Sequence, residues 1–133
     1  MKKVLFVASE GVPFIKTGGL ADVVGSLPKC YNKEEYDVRV ILPKYMCMKE
    51  EWKNKMNYVT HFYMDLAWRS QYVGVLEMKY EGVQFYFIDN EYYFAGPKPY
   101  GNIYQDIEKF AFFSKAALSA LPVIGFRPDI VHC

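Results

Sequence analysis

The sequence predicts an α/β fold with a doubly wound, mostly parallel sheet and a β-hairpin insertion. A continuous apolar run over residues 4–8 is bounded by turn residues, which is typical of a buried parallel strand. A glycine-rich turn and a segment of helical periodicity follow it. Later strand-like segments and one long helical segment continue this alternation. Sheets of this kind bind ligands at the carboxyl ends of their strands.

The first half of the chain is expected to hold two strands and two helical segments. Residues 3–9 form the first strand, and residues 37–42 form the second. Residues 19–31 form a helix that Pro28 kinks or ends. The apolar face of this helix carries four residues: Leu20, Val23, Val24 and Leu27. Residues 49–56 form a short polar helix or turn.

The second half is expected to hold three consecutive strands, one long helix and a last strand. The three strands cover residues 58–68, 71–80 and 83–88, and the turn at Gly82 indicates a hairpin. The long helix covers residues 103–121, where Pro122 stops it. Its predicted buried face is Ile107, Phe110, Ala111, Ser114, Ala117, Leu118 and Leu121. Residues 129–133 start the last strand. Residues 1–133 fit one domain by length.

Residues 16–20, Lys-Thr-Gly-Gly-Leu, place a lysine and two glycines between the first strand and the first helix. Glycine lets the backbone approach an anion, and the first amides of a helix are unpaired donors in a positive potential. The turn therefore predicts phosphate binding through Lys16 and the amides near Gly18 and Gly19. We expect a β-branched side chain at Gly18 to crowd the phosphate and to resist a positive φ. On spacing alone, an ordinary glycine-rich connection is the alternative.

Two common phosphate loops do not fit this segment. Gly11 to Thr17 has the outer spacing of a Walker A loop, but Ile15 stands where that loop needs its last glycine. The later glycines have the wrong intervals for the dinucleotide fingerprint. These mismatches argue against a phosphate-loop nucleotidase.

Composition excludes several classes of function. Hydrophobic residues make up 52% of the chain and charged residues 23%, as in ordinary globular domains. The net charge of +1 gives no reason to expect nucleic acid or an anionic membrane as a partner. No apolar segment is long enough for a membrane span or a secretory signal, so a cytoplasmic location is expected. Cys30, Cys47 and Cys133 are odd in number and widely spaced, which predicts reduced, buried or half-buried thiols and no metal site.

Residues 9–29 closely resemble the N-terminus of bacterial glycogen synthases and plant starch synthases, whose signature is a Lys-Thr-Gly-Gly-Leu turn leading into Ala-Asp-Val. Residues 38–45, 87–94 and 110–118 resemble the same family in the same order. The resemblance implies a retaining glycosyltransferase that moves glucose from ADP-glucose to the non-reducing end of an α-1,4-glucan, without a cofactor. It also implies the N-terminal, acceptor-side domain of a two-domain GT-B fold. The C-terminal Rossmann-like domain, which supplies most nucleotide contacts, is then expected to lie outside residues 1–133.

The resemblance also suggests roles for individual residues. The turn with Lys16, Gly18 and Gly19 is expected to face the donor phosphates. Asp22 is the candidate catalytic residue, and it is either a cleft contact to a sugar hydroxyl or a first-turn acid worth about 0.3–1 kcal/mol at the helix end. His132 matches a histidine near the family's catalytic cleft and is given a supporting substrate-binding place.

Three tyrosines of a later loop and one glutamate close to the turn are further candidates for the site. Tyr92, Tyr93 and Tyr100 lie in a polar, glycine- and proline-broken loop that a core does not require, and Tyr93 is the candidate sugar contact among them. Glu10 either orients Lys16 or lies on the loop surface.

One segment departs from the family pattern. After Tyr93-Phe94 the family commonly has a charged residue such as arginine followed by an acid and glycine, whereas residues 95–101 read Ala-Gly-Pro-Lys-Pro-Tyr-Gly. Acceptor contacts are therefore expected to differ in this loop. His61 is expected to be an exposed strand residue. A stand-alone nucleotide- or glucan-binding module without catalysis is the alternative function.

Overall fold

The computed structural model describes residues 1–133 and confirms the predicted α/β class. The strands are β1 (Lys2–Val7), β2 (Tyr36–Pro43), β3 (Asn57–Leu66), β4 (Arg69–Tyr80), β5 (Val83–Asp89) and β6 (Ile130–His132). The helices are α1 (Gly19–Ser26), α2 (Glu50–Lys53) and α3 (Ile103–Ile124), and a 3₁₀ turn covers Leu27–Cys30. Strand ends differ from the predicted ones by at most two residues, the usual uncertainty of element boundaries.

All six strands form one sheet in the order β3-β4-β5-β2-β1-β6. The pairs β5-β2, β2-β1 and β1-β6 are parallel, while β3-β4 and β4-β5 are antiparallel. Glu81 (φ 49°) and Gly82 (φ 80°) form the turn between β4 and β5. Two successive positive φ values give the turn whose twist matches a hairpin, so the predicted hairpin at Gly82 is confirmed.

The connections of this sheet place the β1–α1 loop at its switch point. From β1 the chain moves through α1 to β2 on one side, and from β5 it returns through α3 to β6 on the other side of β1. Because such crossovers are right-handed, α1 and α3 cover opposite faces of the sheet. Ligands of doubly wound sheets bind at the carboxyl end of the strand where the direction reverses. In this chain that strand is β1.

Helix α1 is shorter than predicted and buries only part of the predicted face, with Val24 in the core and Leu27 packed against it. It ends at Ser26, and Pro28 lies in the 3₁₀ turn that follows. Leu20 is 47% exposed and Val23 is 52% exposed, so the prediction that they face the core is wrong. The buried residues of α1 are Ala21 and Val24. Small side chains face inward because the helix lies very close to the loop that precedes it.

Helix α3 differs from its prediction in two ways. It continues past Pro122 to Ile124 and ends at Gly125, whose φ of 70° is a left-handed helix cap. Its buried face is also not the predicted one, since Ile107 and Leu118 are exposed. The residues that are buried are Lys109, Phe112, Phe113, Ala116, Ala117 and Ala120. Only Ala117 belongs to both sets.

A single cluster of 27 buried hydrophobic side chains forms the core between the sheet and its helices. The prediction of buried or half-buried thiols holds for Cys47, which is half-buried, and is wrong for Cys30 and Cys133, which are exposed. All three thiols are free. None of the helices combines the length and the apolar character that crossing a membrane requires.

Candidate functional site at the carboxyl end of strand β1

The loop after β1 begins with a tight turn that is anchored in the core. Gly11 and Ile15 exchange two backbone hydrogen bonds of 3.0 Å, and the Phe14 amide donates to the same Gly11 oxygen. The Phe14 ring is buried against four aromatic rings: Trp52, Tyr80, Phe85 and Phe87, at centroid distances of 4.8–5.6 Å. This anchor fixes Lys16 two residues later. The Phe14 and Ile15 amides point into the turn, so the segment has no Walker-type phosphate cradle.

Glu10 lies at the centre of the loop and is 2% exposed. Its Oε1 accepts hydrogen bonds from the Gly18 amide (3.1 Å) and the Ala21 amide (3.3 Å). Its Oε2 accepts from the Thr17 amide (3.2 Å) and from the Thr17 hydroxyl. The sequence-based roles for Glu10, on the loop surface or as a partner of Lys16, are therefore wrong. The carboxylate holds the glycine-rich turn to the start of α1.

Lys16 and Asp22 form an ion pair on the outer side of the same turn. The Lys16 Nζ lies 3.0 Å from the Asp22 Oδ1, and about half of each side chain is exposed. An exposed pair of this kind contributes little to stability. Both groups are therefore available to exchange this contact for one with a ligand.

Gly18 and Gly19 border open space next to this pair. A methyl group at Gly19 would have no atom within 4 Å, and one at Gly18 would only reach Glu10 Oε1 at 4.0 Å. Gly18 has φ −163°, an extended backbone that any residue adopts, so the expected positive φ is wrong. The amides of Gly19 and Leu20 have no hydrogen-bond partner in the structure. Nothing in the fold itself requires glycine at these two positions.

Two tyrosines hold the first residue of the loop. The Tyr45 hydroxyl donates to the Ser9 carbonyl oxygen at 2.7 Å, and burial raises the pKa of Tyr45. The Tyr100 hydroxyl lies 2.5 Å from the Ser9 hydroxyl, and burial also raises the pKa of Tyr100. Both phenols stay protonated at neutral pH and serve as neutral hydrogen-bonding groups.

Tyr93 is 7% exposed and belongs to the core, so the expectation that it lies outside the core is wrong. Its ring stacks on Phe112 at 4.6 Å, and its hydroxyl donates to Glu108 at 3.0 Å. Burial and the Glu108 carboxylate raise the pKa of Tyr93 to about 12. Tyr92 is largely exposed, as expected, and Tyr100 is partly exposed.

His132 lies on β6 opposite Phe6 of β1, and the two rings stack at a centroid distance of 4.7 Å. This pairing places His132 near the carboxyl end of β1, on the same edge of the sheet as the glycine-rich turn. His61 is exposed on β3, as predicted, and stacks on Tyr72 at 5.5 Å.

Known proteins match this arrangement of strand, turn and helix. A model of the starch synthase catalytic domain matches residues 3–133. The chain belongs to this family.

Curated relatives and a solved structure agree with the family. The chain is 73% identical over 133 residues to a glycogen synthase of Lachnoclostridium phytofermentans and 53% identical over 131 residues to one of Geobacillus thermodenitrificans. It spans only 28% and 27% of the length of these synthases. It also matches the catalytic domain of starch synthase IV from Arabidopsis thaliana bound to ADP and acarbose, with a TM-score of 0.86 and 31% identity. That match covers 99% of this chain and 27% of the other.

The loop of residues 95–101 is held by a lysine that the sequence analysis overlooked. Lys109 is buried, and its Nζ donates to the Pro99 carbonyl oxygen at 2.6 Å and pairs with Asp106 at 3.2 Å. Asp106 also accepts from the Gly101 amide at 2.9 Å. A buried charge on helix α3 therefore holds this loop from below. A lysine one helical turn from an acid is the signal that could have pointed to it.

Proposed function

We propose that residues 1–133 form the N-terminal, acceptor-side domain of a GT-B glucan synthase. Its reaction is transfer of glucose from ADP-glucose to the non-reducing end of an α-1,4-glucan, with retention of configuration. The relatives' name, glycogen synthase, supports the reaction, and the ADP and acarbose in the Arabidopsis structure support a nucleotide and a glucan-like ligand. The chain spans only 27–28% of the length of those proteins, and this supports a second domain in the whole protein.

The observation that carries this proposal is the open space at Gly18 and Gly19. Two side chains are missing where the fold would accept them, and this gap borders a half-exposed lysine and two amides without partners. A phosphate placed there receives one ammonium and the amides of Gly19 and Leu20. The helix dipole of α1 adds positive potential at the same point.

The chemistry requires such a site because negative charge grows on the ADP phosphates as the glucosyl bond breaks. Donors aimed at that charge lower the barrier more than they strengthen substrate binding. Lys16 and the two amides are placed to do this. In this proposal the donor is a substrate and the reaction uses no cofactor.

Donor binding also changes the state of Asp22. When a phosphate takes the Lys16 ammonium, the Asp22 carboxylate loses its 3.0 Å partner. It is then free to accept a hydrogen bond from a hydroxyl of the transferred glucose or of the acceptor. The roles of Tyr93 and His132 as sugar contacts stay predictions, and Tyr93 is only 7% exposed.

The test uses the full-length protein and measures kcat and the KM for ADP-glucose with glycogen as acceptor. Lys16→Met should lower kcat about 10²- to 10³-fold, the scale for removing one preorganised charge-stabilising donor. Lys16→Arg keeps the charge but misplaces it, so only partial recovery is expected. Lys79→Met is the matched control, since Lys79 is an exposed lysine of β4 that pairs with the amino end of β5.

Two outcomes would contradict the proposal. Near-wild-type turnover in Lys16→Met would remove this residue from the mechanism. A full-length protein that binds ADP-glucose or glycogen but transfers no glucose would favour a binding module instead. Residues 1–133 alone should transfer no glucose, and steady transfer by the purified chain would overturn the two-domain account.

A further inference from the structure

Glu10 is the most unusual polar group of the site. It is one of three buried polar or charged residues, together with Asn90 and Lys109. Each of its carboxylate oxygens accepts two hydrogen bonds, and all four come from residues 17–21. Burial of a carboxylate is costly unless it is fully hydrogen-bonded, and this one is. The turn is therefore built around this charge.

We infer that Glu10 is the positioning residue of the donor-phosphate site. By occupying the amides of Thr17, Gly18 and Ala21, it leaves those of Gly19 and Leu20, within residues 17–21, for a ligand. It thereby selects which backbone donors meet the phosphate and fixes their direction. This inference rests on the proposed function, because it assigns Glu10 a role at that site.

A purely structural helix cap does not require this arrangement. The N-cap position of α1 is Gly18, which has no capping side chain. A serine, asparagine or aspartate at that position would supply the usual cap without a buried charge. The chain instead reaches back eight residues to Glu10, and the position next to the ligand space keeps no side chain. The arrangement satisfies the Gly18 and Ala21 amides, leaves those of Gly19 and Leu20 free, and preserves the open space.

Because Glu10 is charged, a capping role and a positioning role predict different changes in kcat and KM when that charge is removed. A buried negative charge beside the site opposes binding of an anionic donor. If Glu10 only capped the helix, removing its charge would leave kcat unchanged and lower the KM for ADP-glucose. If it positions the donors, the same change lowers kcat, because a misplacement of about 1 Å costs about 10²-fold in rate.

The first test is Glu10→Gln in the full-length protein. The amide oxygen can still accept from Gly18 and Ala21, whereas its NH₂ group now faces the Thr17 amide, which is also a donor. We expect kcat to fall about 10- to 100-fold, with the dissociation constant for ADP unchanged or lower. Unchanged kcat with a lower KM would overturn the inference.

A second variant guards against simple unfolding. Thr17→Val keeps the Glu10 charge and removes only the hydroxyl bond to Oε2. It should lower kcat, but by less than Glu10→Gln does. Thr17→Ser keeps the hydroxyl and should therefore have the kcat of the wild type. A full kcat in Thr17→Val, with a melting temperature equal to that of the wild type, would contradict the inference. If wild-type protein transfers no glucose, the proposed function fails instead, so the two failures are distinguishable.

Discussion

The two ends of helix α1 both carry glycine, and their surroundings are opposite. At Gly25 a methyl group would lie 2.1 Å from the Val12 Cγ2 and 2.8 Å from the Val12 carbonyl oxygen. At Gly19 a methyl group would meet nothing within 4 Å. The fold itself therefore requires glycine at the carboxyl end of the helix. At the amino end it does not, and the open space there is what the proposed phosphate site uses.

The largest effect on stability is expected from Gly25→Ala. The new methyl group collides with backbone as well as side chain, so the helix must move away from the Val12 loop. Overpacking of this kind costs about 1–3 kcal/mol in the free energy of unfolding. Denaturant unfolding would measure it, with Gly101→Ala as the matched control because Gly101 has no neighbour within 4 Å of an added methyl group. Equal stabilities of the two variants would break the comparison.

Gly19→Ala should show the opposite behaviour. Alanine fits the first turn of α1, so the free energy of unfolding should rise by about 0.4–1 kcal/mol through a less flexible unfolded chain. The methyl group enters the space proposed for phosphate. Because crowding of this kind costs about 1–3 kcal/mol, kcat/KM for ADP-glucose should fall by about 10- to 100-fold. A stabilised protein with full activity would show that the open space holds no ligand.

Asp89, at the end of β5, is a charged group whose position costs stability in the way that a methyl group at Gly25 would. Its carboxylate is half-buried and accepts no hydrogen bond in the structure. Burial, opposed by Lys44 and reinforced by Glu91, raises the pKa of Asp89. A raised folded-state pKa means that ionisation of the group lowers stability progressively as the pH rises above the unfolded-state pKa, and fully once the pH exceeds the folded-state pKa.

Asp89→Asn should therefore stabilise the protein slightly at pH 7. The gain should shrink as the pH falls and disappear below about pH 4, the pKa of an unperturbed aspartate. Thermal melts of both proteins from pH 3 to pH 8 would measure this difference. A gain that stays constant over the whole range would show that burial of charge is not its cause.

Local patterns predicted much of this fold. The apolar run of β1, the turn at Gly82 and the Lys-Thr-Gly-Gly-Leu turn each depend on a few neighbouring residues, and the structure has each where the sequence placed it. The buried face of α3 could not be predicted in the same way. This helix has large apolar residues on two sides, since Phe112 and Phe113 are buried while Ile107 and Leu118 are exposed, so periodicity alone does not select the buried side.

Long-range contacts account for the rest of what the sequence did not predict. Ala116 and Ala120 are buried because small residues let α3 approach the sheet closely. Glu10 was undervalued because its four partners lie seven to eleven residues later and become neighbours only when α1 folds back on the loop. An acid directly after a buried strand and before a glycine-rich turn is the pattern that would reveal such a residue.

The Lys16–Asp22 ion pair also determines how the site responds to dissolved salt. Ions screen the attraction between a lysine and a phosphate, and at physiological ionic strength this screening acts over about 8 Å. They screen the attraction between Lys16 and Asp22 equally. In the proposed site a phosphate replaces the Asp22 carboxylate, so salt weakens both the contact that forms and the contact that breaks. Under that proposal the pair is a built-in counterion that buffers phosphate binding against changes in the ionic composition of the surrounding solution.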